Sequence, residues 1–118
     1  MRDDLVEAHE TFWKQMDTEI LPYFPVVTVG WDPSPRWARD TPFPPPNTGY
    51  PYTTVVLHNS PDRFGELARR ACRHCERARL RPTAILVNAW NEWTEGRALL
   101  PDQEFKTRYL DELKRATK

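Results

Sequence analysis

Apolar residues recur at Leu5, Ala8, Phe12, Met16 and Ile20, three or four positions apart, a spacing that predicts an amphipathic helix over residues 4–19, ended by Pro22. The run Tyr23-Phe24-Pro25-Val26-Val27-Thr28-Val29-Gly30 is mostly apolar and β-branched and reads as a buried strand, with proline tolerated near its start. Residues 31–52 hold no period. Ser60-Pro61-Asp62 then supplies an N-cap, a proline for the first turn and an early acid. Phe64, Leu67, Ala68, Ala71, Cys75 and Ala78 keep helical spacing to about Arg79, and Pro82 resets the chain. Ala84 to Trp90 reads as a second buried strand and is followed by a polar turn through Gly96. Phe105, Tyr109, Leu113 and Ala116 mark a third helix running to the C-terminus.

Strands that are apolar on both faces and alternate with helices indicate an α/β fold with a parallel sheet. Two such strands cannot cover both faces and both edges of their own sheet. In α/β barrels and open sheets alike, chemistry gathers just past the C-terminal ends of the strands. Trp31-Asp32 follows the first strand, and Asn91-Glu92-Trp93-Thr94-Glu95-Gly96 follows the second.

The chain has 118 residues, enough for one domain or less, with 17 basic and 17 acidic side chains and no net charge. That balance argues against a general nucleic-acid or anionic-membrane partner, which selects a basic excess or face. The longest apolar run is far short of the roughly 20 residues that span a bilayer. No signal-peptide pattern opens the chain, so a cytoplasmic location is favoured. Of 12 prolines, seven lie between Trp31 and Tyr52. The same stretch carries Trp31, Asp32, Arg36, Trp37, Arg39, Asp40 and Tyr50, so it reads as one long functional loop.

Spacing alone reads Glu92 and Glu95 as two solvated glutamates in a polar turn, but their place at a strand end between Trp90 and Trp93 makes them the candidate chemical pair. A helical turn would set them side by side, roughly 5–6 Å apart at Cβ, and an extended chain about 10 Å apart. Both spacings overlap the carboxylate pairs of glycosidases, in which one acid holds a proton for the leaving oxygen and the other is ionised. Four of five tryptophans (Trp31, Trp37, Trp90, Trp93) fall in the two strand-end segments. Flat rings suit the C–H faces of sugars, with Asp32, Arg36 and Asn91 available for hydroxyls; Trp90 is read instead as a cap on its strand.

Other features compete less well. Cys72 and Cys75 form a Cys-x-x-Cys inside the second helix with no second pair at zinc spacing, and read as core packing. Arg69, Arg70, Arg73, Arg77, Arg79 and Arg81 read as a solvated helix face, and His58 as a capping or packing residue near the loop's end. Glycine-rich phosphate loops and Gly-x-Ser-x-Gly elbows are absent, and no cofactor or metal is expected.

The block Val87-Asn88-Ala89-Trp90-Asn91-Glu92-Trp93-Thr94-Glu95-Gly96, followed by Leu100-Pro101-Asp102, resembles the WbsX-like family, glycosyltransferase or hydrolase domains related to glycoside hydrolase family 99. Gly30-Trp31-Asp32-Pro33-Ser34-Pro35-Arg36 after its apolar strand is similar to the same family's upstream block. The resemblance covers nearly the whole chain. It implies a (β/α)8 barrel of which residues 1–118 would be the C-terminal part, acting on polysaccharide such as O-antigen or mannan-like glycans, with the preceding part of the barrel as partner. It also implies that Glu92 assists attack by the sugar's own 2-hydroxyl and that Glu95 is general acid and base, configuration being retained. The sequence departs from the mannosidases at Thr94, where they carry histidine, and at Ala98-Leu99-Leu100, which replaces a more polar run. A different expectation is a fragment that binds carbohydrate or another subunit without catalysis.

Overall fold

The structure is a computed structural model describing residues 4–118. Its elements are α1 (Asp4–Met16), β1 (Val26–Thr28), a 3-10 turn at Ser34–Arg36, α2 (Pro61–Arg77), β2 (Leu86–Asn88), β3 (Asn91–Glu92), a second 3-10 turn at Trp93–Glu95, β4 (Arg97–Ala98) and α3 (Arg108–Ala116). The mixed α/β class is as expected.

β1 and β2 pair in parallel, with Val26 opposite Leu86, Val27 opposite Val87 and Thr28 opposite Asn88. Both strands are shorter than their apolar runs. Pro25 has no N–H to give the ladder, and the Thr28 hydroxyl donates to the Gly30 carbonyl at 2.7 Å, curling the chain out of the strand. Past Asn88, the Ala89 and Trp90 carbonyls turn to the Leu99 N–H, at 3.1 and 3.0 Å. The expected polar turn is thereby a small hairpin of β3 and β4, with Glu92 opposite Arg97.

The core lies where α2 covers β1 and packs on α3. Val27, Val29, Phe64, Leu67, Ala71, Leu99 and Tyr109 are buried in it. Ser60 caps α2 as its sequence predicts, its hydroxyl accepting from the Arg63 N–H at 3.3 Å. Gly65 lets α3 approach: a Cβ there would strike the Glu112 carboxylate, which Arg69 holds at 3.3 Å.

α1 differs from its prediction. It stops at Met16, and its buried positions are Val6 and Trp13, whereas Ala8, Phe12 and Met16 are exposed and Ile20 lies beyond the helix. The Trp13 ring is the largest apolar group available, and the helix turns to bury it against His74. The Asp17 carboxylate accepts from the Arg79 N–H at 3.0 Å, tying the end of α1 to the end of α2. The outward residues Leu5 and Phe12, with Tyr23 and Val26, line an open groove of about 420 Å³. α3 begins at Arg108 rather than Phe105, because the Asp102 carboxylate and carbonyl first hold the N–H groups of Phe105 and Lys106 in a tight turn. Among the described residues no helix is long and apolar enough to cross a membrane.

Candidate functional site

The ends of β1 and β2 are pinned together by the Asp32 N–H, which donates to the Glu95 carbonyl at 2.8 Å. Gly96 makes the approach possible. It sits at φ 59°, a left-handed conformation that favours glycine, and a Cβ there would lie 2.9 Å from that of Asp32. The 3-10 turn between Glu92 and Gly96 has three residues per turn, so side chains at i and i+3 eclipse. Glu92 stands just before this turn and Glu95 ends it, and both carboxyls reach the same guanidinium.

Arg36 arrives from the other strand end and bridges them. Its Nη2 donates to Glu92 Oε1 at 2.8 Å, its Nη1 lies 3.2 Å from Glu95 Oε1, and its Nε donates to Thr94 Oγ1 at 2.8 Å. The Thr94 hydroxyl donates in turn to Glu92 Oε1 at 3.2 Å. The Tyr50 hydroxyl donates to Glu95 Oε1 at 2.8 Å and also meets Arg36 Nη1. Arg97 pairs with Glu95 Oε2, and its guanidinium lies 4.5 Å from the centre of the Trp31 ring. The two acids thus differ in environment: Glu95 is 7% exposed, whereas the Glu92 side chain is 41% exposed.

Of the residues singled out from sequence, Glu92, Glu95 and Arg36 come together. Asp32 instead starts the 3-10 turn that carries Arg36, its Oδ1 accepting from the Ser34 N–H at 3.0 Å. Trp31 has one face against Arg97, and its Nε1 donates to the Thr53 hydroxyl at 2.9 Å, so it braces the proline-rich loop. Asn91 is exposed in the hairpin, opposite Ala98. Trp93 is 51% exposed and lines an open groove of about 340 Å³ with Gly96, Gln103 and Glu104, a groove that neither acid lines. Trp90 is 57% exposed and does not close off its strand. Thr94, Tyr50 and Arg97 were not foreseen as partners of the acids. Arg97 needed the β3–β4 register to be found, and Tyr50 the path of the loop.

The remaining features depart in part from their readings: Cys72 and Cys75 are half-buried and stand outside the core, and His58 is exposed rather than packed. Burial pushes the Cys72 and Cys75 thiols up, and the Cys75 Sγ lies 3.8 Å from the Ala84 carbonyl. Among the described residues no group of three or more His, Cys, Asp and Glu could hold a metal. Arg69, Arg70 and Arg73 converge on Glu66, whose carboxyl is held below its ordinary range chiefly by the hydrogen bond from Arg70. His58 is exposed in a turn at φ 58°.

Residues 3–113 match the family model described as glycosyltransferase WbsX. Two proteins named "Uncharacterized protein WxcX", from strains B100 and ATCC 33913 of Xanthomonas campestris pv. campestris, are each 34% identical to the chain over 96 residues. The match covers 79% of this chain and 12% of each of theirs. No solved structure matches significantly.

Proposed function

Since the chain belongs to the WbsX glycosyltransferase family, we propose that it is the C-terminal part of a (β/α)8 enzyme that cleaves or transfers glycosyl units of polysaccharide, with Glu92 and Glu95 as its working pair. The observation that carries this is the bridging of both carboxyls by one guanidinium, Arg36, at the C-terminal end of a parallel strand. A guanidinium shared by two acids puts them on one small polar patch, within reach of a single sugar ring.

In the 2-hydroxyl-assisted course, one carboxylate takes the proton of the sugar's 2-hydroxyl as that oxygen bonds to the anomeric carbon. The bond from that carbon to the leaving oxygen breaks, and the second carboxyl gives that oxygen its proton. Water, or the hydroxyl of an acceptor sugar, then opens the three-membered ring, returning the proton and retaining configuration. Substrate hydroxyls must take the place of the Arg36 contacts, since the guanidinium occupies the space between the acids. The open groove beside α1, and a parallel sheet that among the described residues has only two strands, support the preceding barrel units as partner.

The occupied pair also favours a second reading, a carbohydrate-binding piece without catalysis that uses its exposed Trp90 and Trp93. Titrating the chain with mannan- and O-antigen-derived oligosaccharides, while following tryptophan fluorescence and released reducing ends, separates the two. Turnover supports the enzyme, saturable quenching without turnover supports the binding piece, and no response contradicts both.

A further inference from the structure

We infer that the cleft between α1 and α2 binds a small phosphoryl anion, phosphate or diphosphate, through Lys14, Arg73 and Arg77. The cleft lies apart from the acids: α1 and α2 each end ahead of the start of a strand, whereas Glu92 and Glu95 follow a strand's end. Binding there is independent of what the carboxylate pair does.

The two helices lie side by side and run the same way, since Glu10 meets Arg70 at 3.1 Å and the Asp17 carboxylate accepts from the Arg79 N–H at 3.0 Å. Arg70, Arg73 and Arg77 are three or four residues apart and share one face of α2. With Lys14 of α1 they line a cavity of about 230 Å³, four cations against the two acids Glu10 and Asp17. The acids are tied at its two ends. Among the described residues no carboxylate pairs with Lys14 or Arg77, and Arg73 has Glu66 alone, at 3.6 Å and shared with Arg69 and Arg70. The helix dipoles favour Lys14 and Arg77 in these last turns, which accounts for their presence but leaves like charges around one cleft. A concave surface where one sign of charge predominates concentrates its field. An anion held there turns the repulsion into charge-assisted hydrogen bonds. The floor is the Trp13 indole, 1% exposed and 5.8 Å from the His74 ring, so it has no face free to stack a sugar or a base. The volume is also below the roughly 300 Å³ at which drug-sized ligand sites begin, which suits one or two phosphoryl groups and is too small for a glycan strand.

The test is a titration of the chain with inorganic pyrophosphate, followed by phosphorus NMR at about 0.15 M ionic strength, where exposed charges are screened beyond about 8 Å. Inorganic phosphate and uridine diphosphate are run beside it. Pyrophosphate should saturate a single site. Lys14→Ala and Arg77→Ala, both at exposed positions whose loss leaves the core intact, should each weaken it about tenfold or more. Arg77→Lys, which keeps the charge, should restore most of the affinity. Lys114→Ala, which removes the same charge from the exposed face of α3, should leave binding unchanged. Weaker binding of uridine diphosphate than of pyrophosphate makes the free ion the source of the phosphoryl group, and equal or tighter binding makes a nucleotide the source; either supports the site. Saturation by none of the three anions would overturn the inference. So would equal weakening by Lys14→Ala, Arg77→Ala and Lys114→Ala, which would show only general attraction to basic surface.

Discussion

Arg36 reaches two acids because Asp32 folds the residues after it into a 3-10 turn and, through its own N–H, fastens that turn to the Glu95 backbone. Gly96 is the small residue on which this closeness depends. Gly96→Ala forces a side chain into a left-handed conformation and against Asp32, and should cost about 1–3 kcal/mol. Urea unfolding reads that loss, and an unchanged midpoint would mean that the two strand ends are not packed as described. At this scale the acidic pair was legible, because a spacing of three residues at a strand end is local information. The donors to Glu95 were not. Tyr50 and Arg97 lie 45 and 2 residues from it, yet both depend on chain path: one on a loop without period, the other on a hairpin of two-residue strands.

Helix α2 was legible almost to the residue, since Ser60 and Pro61 mark its start locally and its apolar spacing faces one core. Helix α1 was legible as a helix but not in its orientation. Its stripe of Leu5, Ala8, Phe12 and Met16 competes with Val6 and Trp13, and burial of the indole decides. Trp13→Ala should therefore cost about 3–5 kcal/mol, whereas Phe12→Ser, at a position 49% exposed, should stay within about 0.5 kcal/mol. Denaturation of the two variants side by side distinguishes this orientation from the one the sequence spacing suggests.

One group in α2 and one in α3 set a pH window. Glu66 is held below its ordinary value of 4.5 mainly by the hydrogen bond from Arg70, so that stabilisation is present above 4.5 and is lost as pH falls through and below it. Burial pushes the Tyr109 hydroxyl up to about 12. Between about 10, where the unfolded chain releases this proton, and 12 the native state binds more protons, so stability falls as pH rises. Tyr109→Phe should flatten the alkaline fall while leaving the acid limb in place, as thermal melts across pH would record.

Across the whole molecule, the sheet has two parallel strands, and the apolar side chains Phe12, Ile20, Leu21 and Leu86 are exposed. The mixed α/β order was legible in the sequence, but the second apolar run reads as a buried strand, whereas β2 leaves Leu86 exposed. The order of elements and the meeting of the two strand ends followed from hydrophobic period; the contents of the space between the acids did not, since a guanidinium that reaches across 56 residues leaves no trace in local spacing. The central claim concerns what that space does once substrate enters. Its most direct test is glycan turnover by the full-length protein carrying Glu92→Gln or Glu95→Gln. Each variant should lose about 10²- to 10⁴-fold in kcat while still binding the glycan; near-parental turnover in both would contradict it.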